Sequence, residues 1–253
     1  MKRLRILLLL LLAACANPAP TFSKVGTLAP GSTLTLRNAR GDIDAYAPVH
    51  GKPQNQYTVE AFATQRNATR TAVSAIGKNL AVCSFAIDAQ PPDSTNGTCT
   101  PGDPGVIRYL VRGPKDVTLR LSTQNGSINV ADVSGVVDAH VGKGDIKVLV
   151  PGYAQAYAKD GNVTVFFGST DWPGTLHFGA GKGNVEVWIN ATAKAHVHFH
   201  TDDGTIFTDF PLKGTSHGNN ETIDGTINGG GNRSVDVEIH EGIVRVLQLK
   251  PQM

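Results

Sequence analysis

The strongest constraint on this chain is a unit of about twenty residues that recurs in register. Aligning each glycine that is followed by a small polar residue and then Ile or Val gives GSINV from Gly126, GDIKV from Gly144, GNVTV from Gly161, GNVEV from Gly183 and GTIFT from Gly204. Seven and five positions before each glycine stand Leu119 and Leu121, Val137 and Ala139, Ala154 and Ala156, Leu176 and Phe178, Val197 and Phe199. Two and four positions after it stand Ile128 and Val130, Ile146 and Val148, Val163 and Val165, Val185 and Val187. Each unit is strand, glycine-centred turn, strand, with period-two alternation that sends one face inward. Leu34 and Leu36 before Gly41, and Val235 and Val237 before Gly242, extend the pattern to both ends of the chain.

A unit this short cannot bury its apolar face alone, so the repeat predicts stacked coils. The expected fold class is all-β, a single-domain β-solenoid of coils of about 20 residues. A two-sheet sandwich would also show alternating strands. It offers no reason for five units to share one template. Residues 51–112 leave the template and contain a Pro- and Gly-rich loop from Gln90 to Gly105; they read as irregular early coils or an insertion.

The N-terminus begins MKRLRILLLLLLAACANPAP, with Lys2, Arg3 and Arg5 ahead of a short apolar run, the pattern of a secretory signal. Its end, Leu12-Ala13-Ala14-Cys15, resembles a bacterial lipobox. That resemblance implies cleavage after residue 14 and lipid modification of Cys15, hence anchoring by acyl chains; a plain signal peptide cut at an Ala-x-Ala-like site is the alternative. Ala16, where an Asp would retain a lipoprotein at the inner membrane, implies the outer membrane. The organisation expected is a signal peptide at 1–14, an anchor-proximal linker at 15–31 and the solenoid domain at 32–253.

Removing residues 1–14 takes away three of 23 Lys and Arg and none of 21 Asp and Glu, so the mature net charge is 20 minus 21, or −1. No basic patch is left to suggest nucleic acid. Besides Cys15, two cysteines remain, Cys83 and Cys99. In an oxidising compartment these are expected to form one disulfide, worth roughly 3 kcal/mol through the unfolded chain.

The segment Gly113 to Val148, GPKDVTLRLSTQNGSINVADVSGVVDAHVGKGDIKV, resembles the DUF4097 adhesin-like family, as does the late GTINGGGNRSVDVEIHEGIVRV from Gly225 to Val246. The resemblance departs at residues 51–112, and the last turn has Glu-Gly-Ile where Gly-Asp-Ile is usual. It implies a β-solenoid that is often surface-exposed or lipid-anchored, and it carries over no catalytic residues.

One rung holds a surplus. In AHVHFHTDDGTIF, His196, His198 and His200 alternate with the inward Val197 and Phe199. His177 holds the same template position as His198, six before its glycine, so stacking the two coils predicts them as neighbours. Tyr153 and Tyr157 fall in the adjoining columns. Three readings of this face compete: a metal site using His177 with two of the strand histidines, a glycan-binding face using the tyrosines and imidazoles as stacking platforms, and a solvated polar face. No carboxylate stands at a fixed ligand spacing, so no firm metal ligand set is predicted. Asp202 and Asp203 read as turn residues. Leu149, Phe166 and Trp188, each five after a glycine, form an outward apolar column that either binds a partner or is covered by residues 51–112.

No triad order, nucleotide loop, Cys-based metal motif or cofactor motif stands out. The function expected is a non-catalytic, lipid-anchored envelope adhesin-like or interaction protein, with a membrane contact through its anchor and an unknown protein or glycan ligand. Its alternatives are a polysaccharide-active or glycan-binding β-helix protein and an envelope metal-binding protein. Intact-mass measurement and lipid labelling check the covalent expectations together. Acyl label is lost in Cys15→Ala, and unreduced protein takes up no alkylating reagent at Cys83 or Cys99; continued labelling of the variant would remove the anchor from the account.

Overall fold

The structure is a computed structural model that describes residues 19–48, 50–51, 53–65, 69–86, 105–114 and 116–250. The signal peptide, Cys15 and Cys99 lie outside the described residues. Among the described residues every regular element is a strand. The first seven are β1 (Phe22–Thr27), β2 (Thr33–Arg40), β3 (Ile43–Tyr46), β4 (Gln56–Ala63), β5 (Thr69–Ile76), β6 (Asn79–Ala86) and β7 (Ile107–Arg112). The regular repeats supply β8 (Thr118–Asn125), β9 (Ile128–Ala131), β10 (Val137–Lys143), β11 (Ile146–Val150), β12 (Ala154–Asp160), β13 (Val163–Phe167), β14 (Thr175–Lys182) and β15 (Val185–Asn190). The chain ends with β16 (Ala195–Thr208), β17 (Thr215–His217), β18 (Asn220–Ile227) and β19 (Ser234–Leu249). All nineteen join one hydrogen-bonded sheet.

Within that sheet the strands form two columns. The first runs β6, β2, β8, β10, β12, β14, the first half of β19 and the first half of β16, each parallel to the next. The second runs β7, β3, β9, β11, β13, β15 and the second halves of β19 and β16, again parallel. Equivalent template positions lie opposite one another. Leu121, Ala139, Ala156, Phe178, Val237 and Phe199 line up across the first column. Ile43, Ile128, Ile146, Val163, Val185, Val244 and Ile206 line up across the second. All thirteen are buried in one shared apolar core. Burying each large aliphatic side chain contributes roughly 1.5–3 kcal/mol before the entropy of ordering it is charged.

The corner glycines allow the columns to stack. Gly144 has φ 132° and Gly183 φ 134°, values that side chains rarely adopt. A Cβ on Gly161 would lie 1.9 Å from the carbonyl oxygen of Gly144, and one on Gly183 2.1 Å from that of Gly161. Gly204 differs from the expected glycine-centred turn: β16 runs straight through it without positive φ. It is held to glycine by the carbonyl of Gly242, 1.7 Å from where its Cβ would stand. The residue after each corner glycine completes the stack. Asp145 Oδ1 accepts from the Asn162 backbone N–H at 2.8 Å, Asn162 Oδ1 from that of Asn184 at 3.0 Å, and Asn184 Oδ1 from that of Ile243 at 3.0 Å.

The described residues of 51–112 close the first end. β7 pairs with β3 and β6 with β2, and each takes an antiparallel partner outside it, β4 and β5 respectively; β1 then adds to β4. Tyr109 is fully buried within this cap, its hydroxyl on Ser84, and burial pushes the phenol up to about 12. Cys83 is fully buried on β6. At the far end β18 pairs antiparallel with the first half of β16, and β17 with β18. Antiparallel caps of this kind cover strand edges that would otherwise recruit another chain.

Spatial order and chain order part company at this far end. The final strand β19 lies between the β14–β15 coil and β16, bonded on both edges, so the last repeat in sequence is the penultimate rung in space. A substitution tests the corner: Gly161→Ala should cost about 2–4 kcal/mol in urea unfolding, because strained φ and backbone overlap add. Gly168→Ala, with nothing within 4 Å of its Cβ, should be near neutral. Equal unfolding midpoints for the two variants would refute the corner argument.

Candidate functional site

Outward positions of the first column are where chemistry-bearing side chains gather. Alternation along β14, β16 and β19 sends Leu176, Phe178, Val197, Phe199, Val235 and Val237 into the core, which leaves His177, His198, His200, Asp236 and Glu238 on the outside. The register places Asp236 opposite His177 on one side and His198 on the other, and Glu238 opposite Gly179 and His200. His177 and His198 are therefore not direct neighbours. The insertion of β19 puts a carboxylate between them.

The contacts follow this lattice. His177 Nδ1 lies 3.3 Å from Asp236 Oδ2, and His198 Nδ1 lies 2.6 Å from Asp224 Oδ1 of β18. One ligand atom each of His198, Asp236 and Glu238 falls within 4.8 Å of the others. Asp236 Oδ1 is buried and has no hydrogen-bond partner. The His198 imidazole is held above its ordinary range, first by the hydrogen bond to Asp224 and then by the nearby charges of Asp224, Asp236 and Glu238.

The remaining histidines are committed elsewhere. His200 uses both ring nitrogens, Nδ1 with Thr222 Oγ1 at 2.8 Å and Nε2 with Asp202 Oδ1 at 3.0 Å. Its ring stacks on that of His198, with centroids 6.2 Å apart. Asp202, expected as a turn residue, instead bridges two imidazoles, since its Oδ2 is 2.7 Å from His240 Nδ1. Those contacts, His240 first, hold its carboxyl below the usual range. Asp203 accepts from Asn219 Nδ2 at 2.8 Å. His196 stands one alternate position away, opposite Ser234 and Thr226 and outside the carboxylate group.

The two tyrosines also divide. Tyr153 packs on the core and donates its hydroxyl to the Thr175 carbonyl at 2.6 Å, a structural role. Tyr157 is 44% exposed, beside a shallow notch of about 160 Å³ that Gly179 leaves between it and Glu238. His140 flanks the notch, with its ring centroid 6.4 Å from that of Tyr157.

Sequence reasoning placed His177 and His198 on this face but missed Asp236, Glu238, Asp224 and His240 as their company. A signal for two of them was present: Asp236 and Glu238 stand six and four before Gly242, the template positions of His198 and His200 before Gly204. Their place between His177 and His198 depends on the order of rungs.

Asp138 and His140 form a separate pair on β10, with Nε2 and Oδ1 2.8 Å apart. That bond raises the imidazole and lowers the carboxyl from their ordinary values. The histidine's contribution to stability is present below its unfolded value of about 6.5 and is lost as pH rises through the higher folded value. The aspartate's is present above about 3.9 and is lost as pH falls through the lower folded value. The pair is thus fully favourable between about pH 4 and 6.5. Asp138→Asn should shift the His140 titration followed by NMR to lower pH; an unchanged midpoint would remove the coupling.

No family model matches the chain, and no curated protein does. Among solved structures, a protein provisionally named a cell adhesion protein from Clostridium sporogenes has a TM-score of 0.46 at 9% identity, covering 90% of this chain and 99% of its own. One provisionally named an adhesin from Bacteroides fragilis has a TM-score of 0.35 at 9% identity, with 90% and 96% covered. A provisionally named lipid-binding protein from Parabacteroides distasonis has a TM-score of 0.26 at 11% identity, with 92% and 98% covered. At these scores and identities the likenesses carry no argument about what the chain binds. The DUF4097 resemblance rests on the repeat residues alone.

Proposed function

We propose that this chain is a β-solenoid displayed at the cell envelope on a lipidated Cys15, and that it acts as a non-catalytic adhesion or interaction module. The parallel, in-register stacking of equivalent template positions supports the solenoid reading. A Cys83–Cys99 bridge would brace its first cap. The two cysteines belong with an exported, oxidising setting.

The observation that carries the interaction reading is an apolar row on the outside of the second column. Leu149, Phe166, Trp188 and Leu247 lie opposite one another on four successive strands. The rings of Phe166 and Trp188 stack at 5.9 Å and 12°. Leu149 is 45% exposed, and the described residues of 51–112 sit on β2 and β3 at the end of the stack and do not cover it. Phe166, Trp188 and Leu247 are half-buried beside the exposed Leu149, and such side chains aligned on a rigid sheet present contact area at small entropic cost to a protein or glycan partner. A glycan reading of the first face is favoured by one feature, the exposed Tyr157 beside the Gly179 notch.

Soluble protein from residue 16 onward, screened on a glycan array and against envelope proteins, tests the module. Trp188→Ala combined with Leu149→Asn should weaken the partner found by about tenfold or more, as expected for loss of a buried anchor. Tyr157→Ala should weaken it only if the glycan face is used. Undiminished binding by both variants would overturn the assignment of these faces.

A further inference from the structure

We propose that His198, Asp236 and Glu238 form a binding site for one divalent first-row transition ion such as Zn²⁺. Asp224 orients the imidazole and His177 steadies the aspartate. The inference stands apart from the apolar row of the second column and needs no partner, while Asp236 and Glu238 also border the Tyr157 notch of the first column.

Four observations carry it. One imidazole and two carboxylates from adjacent strands bring a ligand atom each to within 4.8 Å of one another, close enough for small side-chain rotations to reach the roughly 3.3–3.6 Å spacing of tetrahedral ligands about 2.0–2.2 Å from an ion. His198 Nδ1 is engaged by Asp224 at 2.6 Å, which fixes the ring and leaves Nε2 as the nitrogen with a free lone pair. A carboxylate on the far ring nitrogen is the usual outer support of a metal-bound histidine. Asp236 Oδ2 is occupied by His177 at 3.3 Å while its Oδ1 is buried and unpartnered, a cost that a bound cation would remove. Finally, the two ligand carboxylates and Asp224 surround the site, with His177 and the stacked ring of His200 the other titratable groups against it, so three carboxylates draw an incoming cation toward His198.

The donor set is mixed nitrogen and oxygen, which suits Zn²⁺, Ni²⁺ or Cu²⁺ better than Ca²⁺, whose sites use six to eight oxygens. His200 does not belong to it, because Thr222 and Asp202 take both its ring nitrogens. His196 does not belong either, since it lies opposite Ser234, one alternate position from Asp236. The site is on an open sheet face, with His198 43% and Asp236 26% exposed, so the remaining coordination positions face solvent.

Competition with a chromophoric Zn²⁺ chelator at pH 7.5, on soluble protein from residue 16 onward carrying no histidine tag, gives the test. One Zn²⁺ per chain is expected. His198→Gln, Asp236→Asn and Glu238→Gln should each weaken binding by about tenfold or more, as should Asp224→Asn, within the 10–100-fold span of outer-support losses. His50→Gln, on an exposed turn outside the site, should leave binding unchanged. Ca²⁺ at millimolar concentration should not displace Zn²⁺. Circular dichroism confirms that each variant is folded. With Cu²⁺ as the probe, electron paramagnetic resonance should show imidazole nitrogen coupling that disappears in His198→Gln. Absence of stoichiometric Zn²⁺, or binding that survives both His198→Gln and Asp236→Asn in folded protein, overturns the site.

Discussion

Every rung of this molecule depends on backbone meeting backbone at one corner. The carbonyl of each corner glycine points at the Cα of the next, with 1.9–2.2 Å left where a Cβ would sit along the regular stack from Gly126 to Gly183. No residue but glycine fits without moving a neighbouring coil. Because strand pairs on both sides are measured from that corner, the glycine stack fixes the register of both columns at once. Register is then reinforced by the core, since a one-residue slip would turn Ile146 and Val163 outward and Lys147 and Thr164 inward.

A stack of parallel strands leaves two open ends, and this chain closes each with antiparallel strands. Residues that leave the repeat do so at these ends, where the next coil is missing and the backbone needs a different partner. Asn38 shows the join at the first end. It is buried and donates to the carbonyls of Gly41 and Ile107, tying the first corner to the cap. At the second end β18 turns back on the first half of β16, and Glu221 accepts from the Ile206 backbone N–H, serving the edge of the second half, which none of the described strands covers.

The same end arrangement creates the chemistry of the outer face. If rungs followed chain order, His177 would meet His198 directly and Asp236 would border His198 alone. With β19 interposed, each histidine meets a carboxylate, and a row of imidazoles becomes an alternating row of His177, Asp236, His198 and Asp224. Alternation of charge across adjacent strands stabilises the face, and it also gathers one nitrogen and two carboxylate donors around a single point.

Local sequence was enough to determine the strand, corner, strand unit, the inward positions and the outward ones. All of these follow from side-chain period and the steric demand at glycine, which act within about twenty residues. Leu121, Ala139, Ile146 and Val163 could be assigned to the core before any coil was stacked, and so could the outward direction of His198. Tertiary structure alone decided that the described residues of 51–112 cap the stack, that Asp202 bridges His200 and His240, and that the last repeat enters between two earlier ones. The inward pattern of β19 is equally satisfied beside β14, beside β16 or between them. Only the demand that its two edges both be bonded, with β18 covering the far side of β16, selects the arrangement in which Asp236 stands between His177 and His198.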